Sequence, residues 1–149
     1  MINILDYSVW LTELGMRVNA LSINKKIEKI IMAVDESQIV KRVGDEPGIV
    51  LVGSFPDADK DVNSKDCYEE SNKVLLFLLQ KINPGSLSIT EELHHYAEMQ
   101  EIMALIKTEI IQMNNCLFSL SGGIHTEWEY NAFGGFNGLS IGLSFIDYD

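Results

Sequence analysis

The chain has 149 residues and a net charge of −11, with 22 acids against 11 Lys and Arg, a balance that opposes binding to a nucleic-acid backbone, which needs clustered cations. Hydrophobic residues make up 46% and charged residues 22%, the proportions of an ordinary globular protein rather than a disordered or membrane one. A chain of this length buries an adequate core without disulfides or metals, so a single domain over 1–149 is expected.

The longest uninterrupted apolar run, 74–79, is far short of a bilayer span. The first residues, MINILDYSVWLTEL, carry an acid at Asp6, no basic segment and no small-residue cleavage site, so they do not read as a signal peptide. A cytoplasmic or virion-associated product is expected. Cys67 and Cys116 show no metal or redox spacing, and two reduced thiols are expected. Charge is uneven: residues 45–70 hold eight acids against Lys60 and Lys65, and everything after Lys107 holds five acids and no Lys or Arg. A basic partner or a cation fits this better than DNA or an anionic membrane.

In chain order, Ile4, Tyr7, Leu11 and Leu14 recur at three- and four-residue steps and predict a short amphipathic helix over 3–14, stopped near Gly15. Trp10 lies off that stripe, placed to pack on a second element or on a partner, and no element is assigned to 16–23. Residues 27–34 fit either state, but Asp35 followed by Gln38 suits the cap of a helix over 36–43, which favours a strand ending at Val34. The group Gly44-Asp45-Glu46-Pro47-Gly48 forces a loop. Residues 49–55, β-branched and bounded by Gly48 and Pro56, predict a buried strand, followed by an acidic loop over 57–66. Residues 74–79 suit either a central strand covered on both faces or the middle of a helix, and their length favours the strand.

Residues 88–113 keep one apolar period throughout. Tyr96, Met99, Met103, Ile106, Ile110 and Met113, with Ile102 beside them, form a stripe, while Glu91, Glu92, Glu98, Glu101, Thr108 and Gln112 mostly fall away from it. Ser88 with Glu91 reads as a capping box after the break at Pro84-Gly85. Beyond Asn114-Asn115 the pattern turns to β. Residues 126–130 alternate Glu127 and Glu129 on a wet face with Trp128 and Tyr130 on a half-buried one. The glycines of 133–138 suit a tight turn, and Leu139, Ile141, Leu143 and Phe145 alternate with Ser140, Gly142 and Ser144. The fold class is therefore α+β: a mainly antiparallel sheet, the long helix packed on one face, and a C-terminal β-hairpin.

Three constellations bear on function. Asp57, Asp59, Asp61 and Asn63 place side-chain oxygens at alternate positions, a spacing that resembles the start of an EF-hand-type calcium loop. Val62 stands where that loop needs glycine, and Tyr68 where it needs a bidentate glutamate; a solvated acidic loop is the competing reading. Glu91-x-x-His94 and Glu92-x-x-His95 have the spacing of di-iron bundles, yet no second such pair occurs, and exposed histidines beside i,i+4 glutamates are expected instead. No nucleophile elbow or phosphate loop is present, and no catalytic set is assigned.

The third constellation is the hairpin, where Trp128, Tyr130, Phe133 and Phe136 gather large rings near a turn. The strand 139–145, with Leu139 and Ile141, has no Lys, Arg or Pro to protect an exposed edge. Either this strand is paired in an oligomer interface, or it is central in the monomer's sheet. The order of elements, closing on Gly138-Leu139-Ser140-Ile141-Gly142-Leu143-Ser144-Phe145, resembles that of small phage and prophage tail-terminator or tail-completion proteins. The resemblance is one of architecture and carries no site residues with it. It implies a non-enzymatic assembly protein, a homo-oligomer or a binder of other protein subunits, as a ring or a dimer. The alternative is a calcium-binding or calcium-stabilised domain using the acidic loop.

Overall fold

The computed structural model describes residues 1–61, 69–83 and 85–148. Its framework is a long antiparallel ribbon of two strands, β4 (Glu69–Lys81) and β7 (Phe136–Tyr148), in unbroken register from Glu69 opposite Tyr148 to Lys81 opposite Phe136. Each flank of the ribbon carries two shorter strands end to end. Along β4 run β2 (Ile49–Ser54) and β3 (Asp57–Lys60), separated at Phe55-Pro56; along β7 run β5 (Ser119–Leu120) and β6 (His125–Ala132). Strand β1 (Ile27–Ala33) adds to β2 in parallel, reached through the short crossover helix α2 (Glu36–Val43). The fold is α+β with a mostly antiparallel sheet, and residues 74–79 lie in a strand, β4.

Helices α1 (Ile4–Leu21) and α3 (Ile89–Gln112) cover one face of the sheet. Tyr7, Leu11, Leu14 and Val18 of α1 and Met99, Met103, Ile106 and Ile110 of α3 meet Leu51, Leu76, Leu78, Leu139, Ile141 and Phe145 in the main core. On the other face α2 covers one corner, where Ile39 and Val43 pack with Val50, Val52, Leu79 and Phe136. The caps follow the sequence closely. Ser88 Oγ accepts the Glu91 N–H at 3.2 Å, and the Asp35 carboxylate accepts the Gln38 N–H at 3.0 Å; the Gln38 bond, with one from the Ser37 hydroxyl at 2.8 Å, holds the Asp35 carboxyl below its usual range.

Helix α1 differs from expectation in running on through Gly15 to Leu21. Gly15 faces the sheet, and a Cβ there would meet Ile30 Cδ1 at 2.2 Å; the residue is glycine for close packing, not for termination. Trp10 packs on a second element: it stacks on Phe118 at 5.4 Å and meets the edge of Phe145 at 5.4 Å. The acidic stretch also begins as a strand. Asp57 lies opposite Lys73 and Lys60 opposite Glu70, and these opposed charges favour the pairing of β3 with β4.

In the β4–β7 ribbon Gly138 leaves no room for a side chain: an added Cβ would sit 2.0 Å from the Leu78 carbonyl oxygen and 3.2 Å from Met99 Cε. A clash with backbone cannot be relieved by a rotamer change. Gly138→Ala is expected to cost ~1–3 kcal/mol or more in a urea titration, whereas Gly142→Ala, with its nearest neighbour at 3.8 Å, is expected to cost nothing measurable.

Candidate interaction surface

Strand β6 pairs with β7 on one side, and no strand lies on its other side among the described residues. One side-chain hydrogen bond reaches its backbone between His125 and Tyr130, from the Tyr96 hydroxyl to the Glu129 carbonyl at 3.3 Å. Trp128 and Tyr130 flank this edge and are 57% and 67% exposed. Trp128 makes an edge-on contact with Tyr96 at 5.3 Å, and Leu93, one turn before Tyr96 on α3, is also exposed. Helix α3 passes beside these rings and does not cover them.

The wet and half-buried faces expected of 126–130 are therefore partly exchanged. Glu129 is the half-buried residue, accepting a hydrogen bond from Ser140 Oγ at 2.7 Å across the small side chains of β7. The reason lies in the layers: the helix face of β6 extends past α3, while the opposite face lies against Ser140 and Gly138.

The other hairpin residues do not join this surface. Strand β7 is central, with β4 on one side and β5 and β6 on the other, so it needs no protection by charge. Leu139 and Ile141 belong to the main core and Phe136 to the second cluster. Phe133, at φ 50° in the turn, packs edge-on against Phe77 at 5.2 Å. Burial removes Phe136, Leu139 and Ile141 from any interface of the folded chain.

Of the proposed calcium ligands, Asp57 and Asp59 lie on extended β3, where alternate side chains share one face of a strand and do not turn about a point. Asp59 pairs with Lys73 Nζ at 3.2 Å. Asp61 closes the pairing with an N–H bond to the Glu69 carbonyl at 3.1 Å, and Asn63 lies outside the described residues. No three His, Cys, Asp or Glu side chains form a metal-ligand group among the described residues. Cys116 is a free, exposed thiol, and Cys67 lies outside the described residues.

The opposite end of the sheet is built differently. The edge strand β1 is bonded by side chains near its two ends: Asn19 accepts the Ile27 N–H at 2.7 Å and donates to its carbonyl at 3.0 Å, and the Arg42 guanidinium bonds the Met32 carbonyl. Where α1 turns into β1, Ile23 is 93% exposed. A single exposed residue has no periodic signature, so sequence patterning misses it. Leu5, Val9 and Met16 are exposed on the outer side of α1, opposite its buried stripe; a second apolar stripe at helical spacing was the available signal for these.

Between the start of α3 and the ends of β4 and β1 lies a cleft of about 490 Å³, lined by Lys25, Gln80, His94, His95 and Glu98 among others. His94 is exposed as expected, but His95 is 7% exposed and its Nε2 has no hydrogen-bond partner among the described residues. The face of α3 that carries His95 also carries Met99 and Ile102, so the core stripe takes the ring inward. Desolvation, and then the Lys25 ammonium, lower the His95 pKa; the Asn137 backbone, Glu98 and Glu92 act in the opposite sense.

Against protein-family models the chain has no match, and the comparison with curated proteins gives none either. No helix is long and apolar enough to cross a membrane among the described residues.

The lowered His95 pKa sets a direction for stability. Unfolded, the imidazole takes up its proton near pH 6.5; folded, it does so only at lower pH, so the unfolded state binds more protons in that window. Stability from this group is complete above about pH 6.5 and declines as pH falls below it. Urea midpoints at pH 7.5 and 5.5 are expected to show this loss, and His95→Leu to remove part of it.

Proposed function

We propose that the protein is a non-enzymatic assembly protein that associates with further copies of itself through the surface of β6 and α3. The observation that carries this reading is the open edge of β6 with Trp128 and Tyr130 exposed on either side of Glu129. Large aromatic side chains are costly to leave in water and are enriched where proteins meet. An edge strand without Lys, Arg or Pro also invites pairing with another chain, and His125–Ala132 contains none of the three.

Two further features support the reading. No catalytic motif occurs in the chain, and its order of elements resembles tail-terminator and tail-completion proteins, which favours a phage or mobile-element setting. The open edge and the exposed rings are adjacent, so one contact covers both.

Light scattering across a concentration series tests the proposal. A discrete oligomer above 16.7 kDa is expected, and Trp128→Glu is expected to reduce it to the monomer with the circular dichroism spectrum unchanged. Phe136→Glu, at a core position, is expected to unfold the chain instead. A wild-type protein that stays monomeric at every concentration defeats the reading.

A further inference from the structure

We propose that the surface received by β6 is the opposite end of the same sheet in the next copy, so that association runs head to tail; this rests on the self-association reading above. The two ends of the sheet carry opposite charge. Residues 25–43, which hold β1 and α2, contain Lys25, Lys26, Lys29, Lys41 and Arg42 against Glu28, Asp35 and Glu36; Lys25 is paired with Glu98 of α3, which leaves Lys26, Lys29, Lys41 and Arg42 for a neighbour. This local excess of positive charge stands out in a chain of net −11. At the β6 end, Glu127 and Glu129 stand on the strand, and Lys107 of α3 reaches Thr126 at 3.3 Å.

The faces match as well as the signs. Lys29 lies in register with Val50, on the α2 side of the sheet, and its ammonium bonds the Arg42 carbonyl at 2.6 Å. Glu127 and Glu129 lie opposite Ser140 and Gly138, on that same side, since Ser140 pairs with Phe77 of the second cluster. Exposed apolar residues stand at both ends: Leu21 and Ile23, at and just after the end of α1, lead into β1, and Trp128 and Tyr130 lie on β6 with Leu93 of α3 nearby. Copies set end to end with their sheets facing alike bring cations to carboxylates and Ile23 to the aromatic rings.

A two-fold arrangement of β6 on β6 lacks this match. It places Glu127 and Glu129 against the same residues of the second copy, and like charges directly opposite destabilise a sheet. The side-chain caps on Ile27 and Met32 leave the head-to-tail join to side chains, without a continued backbone ladder through those residues. Because the two surfaces differ, the contact is heterologous and closes a ring or extends a chain.

Complementation separates the arrangements. Ile23→Glu blocks one end and Trp128→Glu the other, both at exposed positions, with Tyr130→Glu as a second variant at the β6 end. Each variant alone is expected to be a monomer of 16.7 kDa by light scattering. An equimolar mixture of the two is expected to give a 1:1 dimer, because one intact contact remains between them. If Ile23→Glu associates like the wild type, or the mixture remains two monomers, the head-to-tail inference is overturned while self-association stands. If the wild type itself is monomeric, the self-association reading fails first and this inference falls with it.

Discussion

The β4–β7 ribbon is the constraint on which the rest depends. Its register runs without a bulge from Glu69–Tyr148 to Lys81–Phe136, and at Gly138 the two backbones are so close that a methyl group has no room. A ribbon this long buries its apolar side chains on one face only if something covers that face. Helices α1 and α3 do so, joined across their flanks by Arg17, which pairs with Glu13 at 2.9 Å and with the buried carboxylate of Glu109 at 3.6 Å. Removing Glu109 from water is tolerated because the guanidinium accompanies it.

From that ribbon the two ends of the sheet acquire different characters. At one end, the crossover α2 brings Arg42 to the Met32 carbonyl, and α1 brings Asn19 beside Ile27, so side chains of the molecule itself hold β1 near both its ends. At the other end, α3 leaves β6 uncovered: Trp128 meets Tyr96 edge-on, and both Trp128 and Tyr130 stay exposed to solvent. An edge with no strand beyond it among the described residues and with two exposed rings is where association recovers apolar surface from water. The charge difference between the ends then favours a neighbour arranged with the same direction of travel.

The buried polar groups belong to the same economy of layers. Tyr7 places its hydroxyl against Gly53, where a Cβ would approach it to 2.6 Å, and burial pushes the phenol pKa upward. His95 stands near the start of α3, on the buried stripe of the helix. Both groups are neutral at physiological pH, so the core avoids an uncompensated charge at each.

Local signals in the sequence were sufficient for the elements whose reasons are local. The period of 88–113, the caps at Ser88 and Asp35, the β-branched run at 49–55 and the glycine turn before β7 each follow from interactions within a few residues, and the elements formed close to where those interactions placed them, except that Phe136, Asn137 and Gly138 of the expected turn belong to β7. The α+β class with its C-terminal hairpin followed from their order. What depended on neighbours distant in the chain was decided only by the tertiary structure. Gly15 lies inside a helix that runs on to Leu21, packed against Ile30. Residues 57–60 form a strand because Glu70–Lys73 supplies opposed charges. Strand β7 is central because β4 and β6 enclose it, and Trp128 and Tyr130 are exposed because α3 stops short of them. Alternation along a strand records that its two faces differ; which face meets solvent, and which edge stays open, is set by the layers that pack around it.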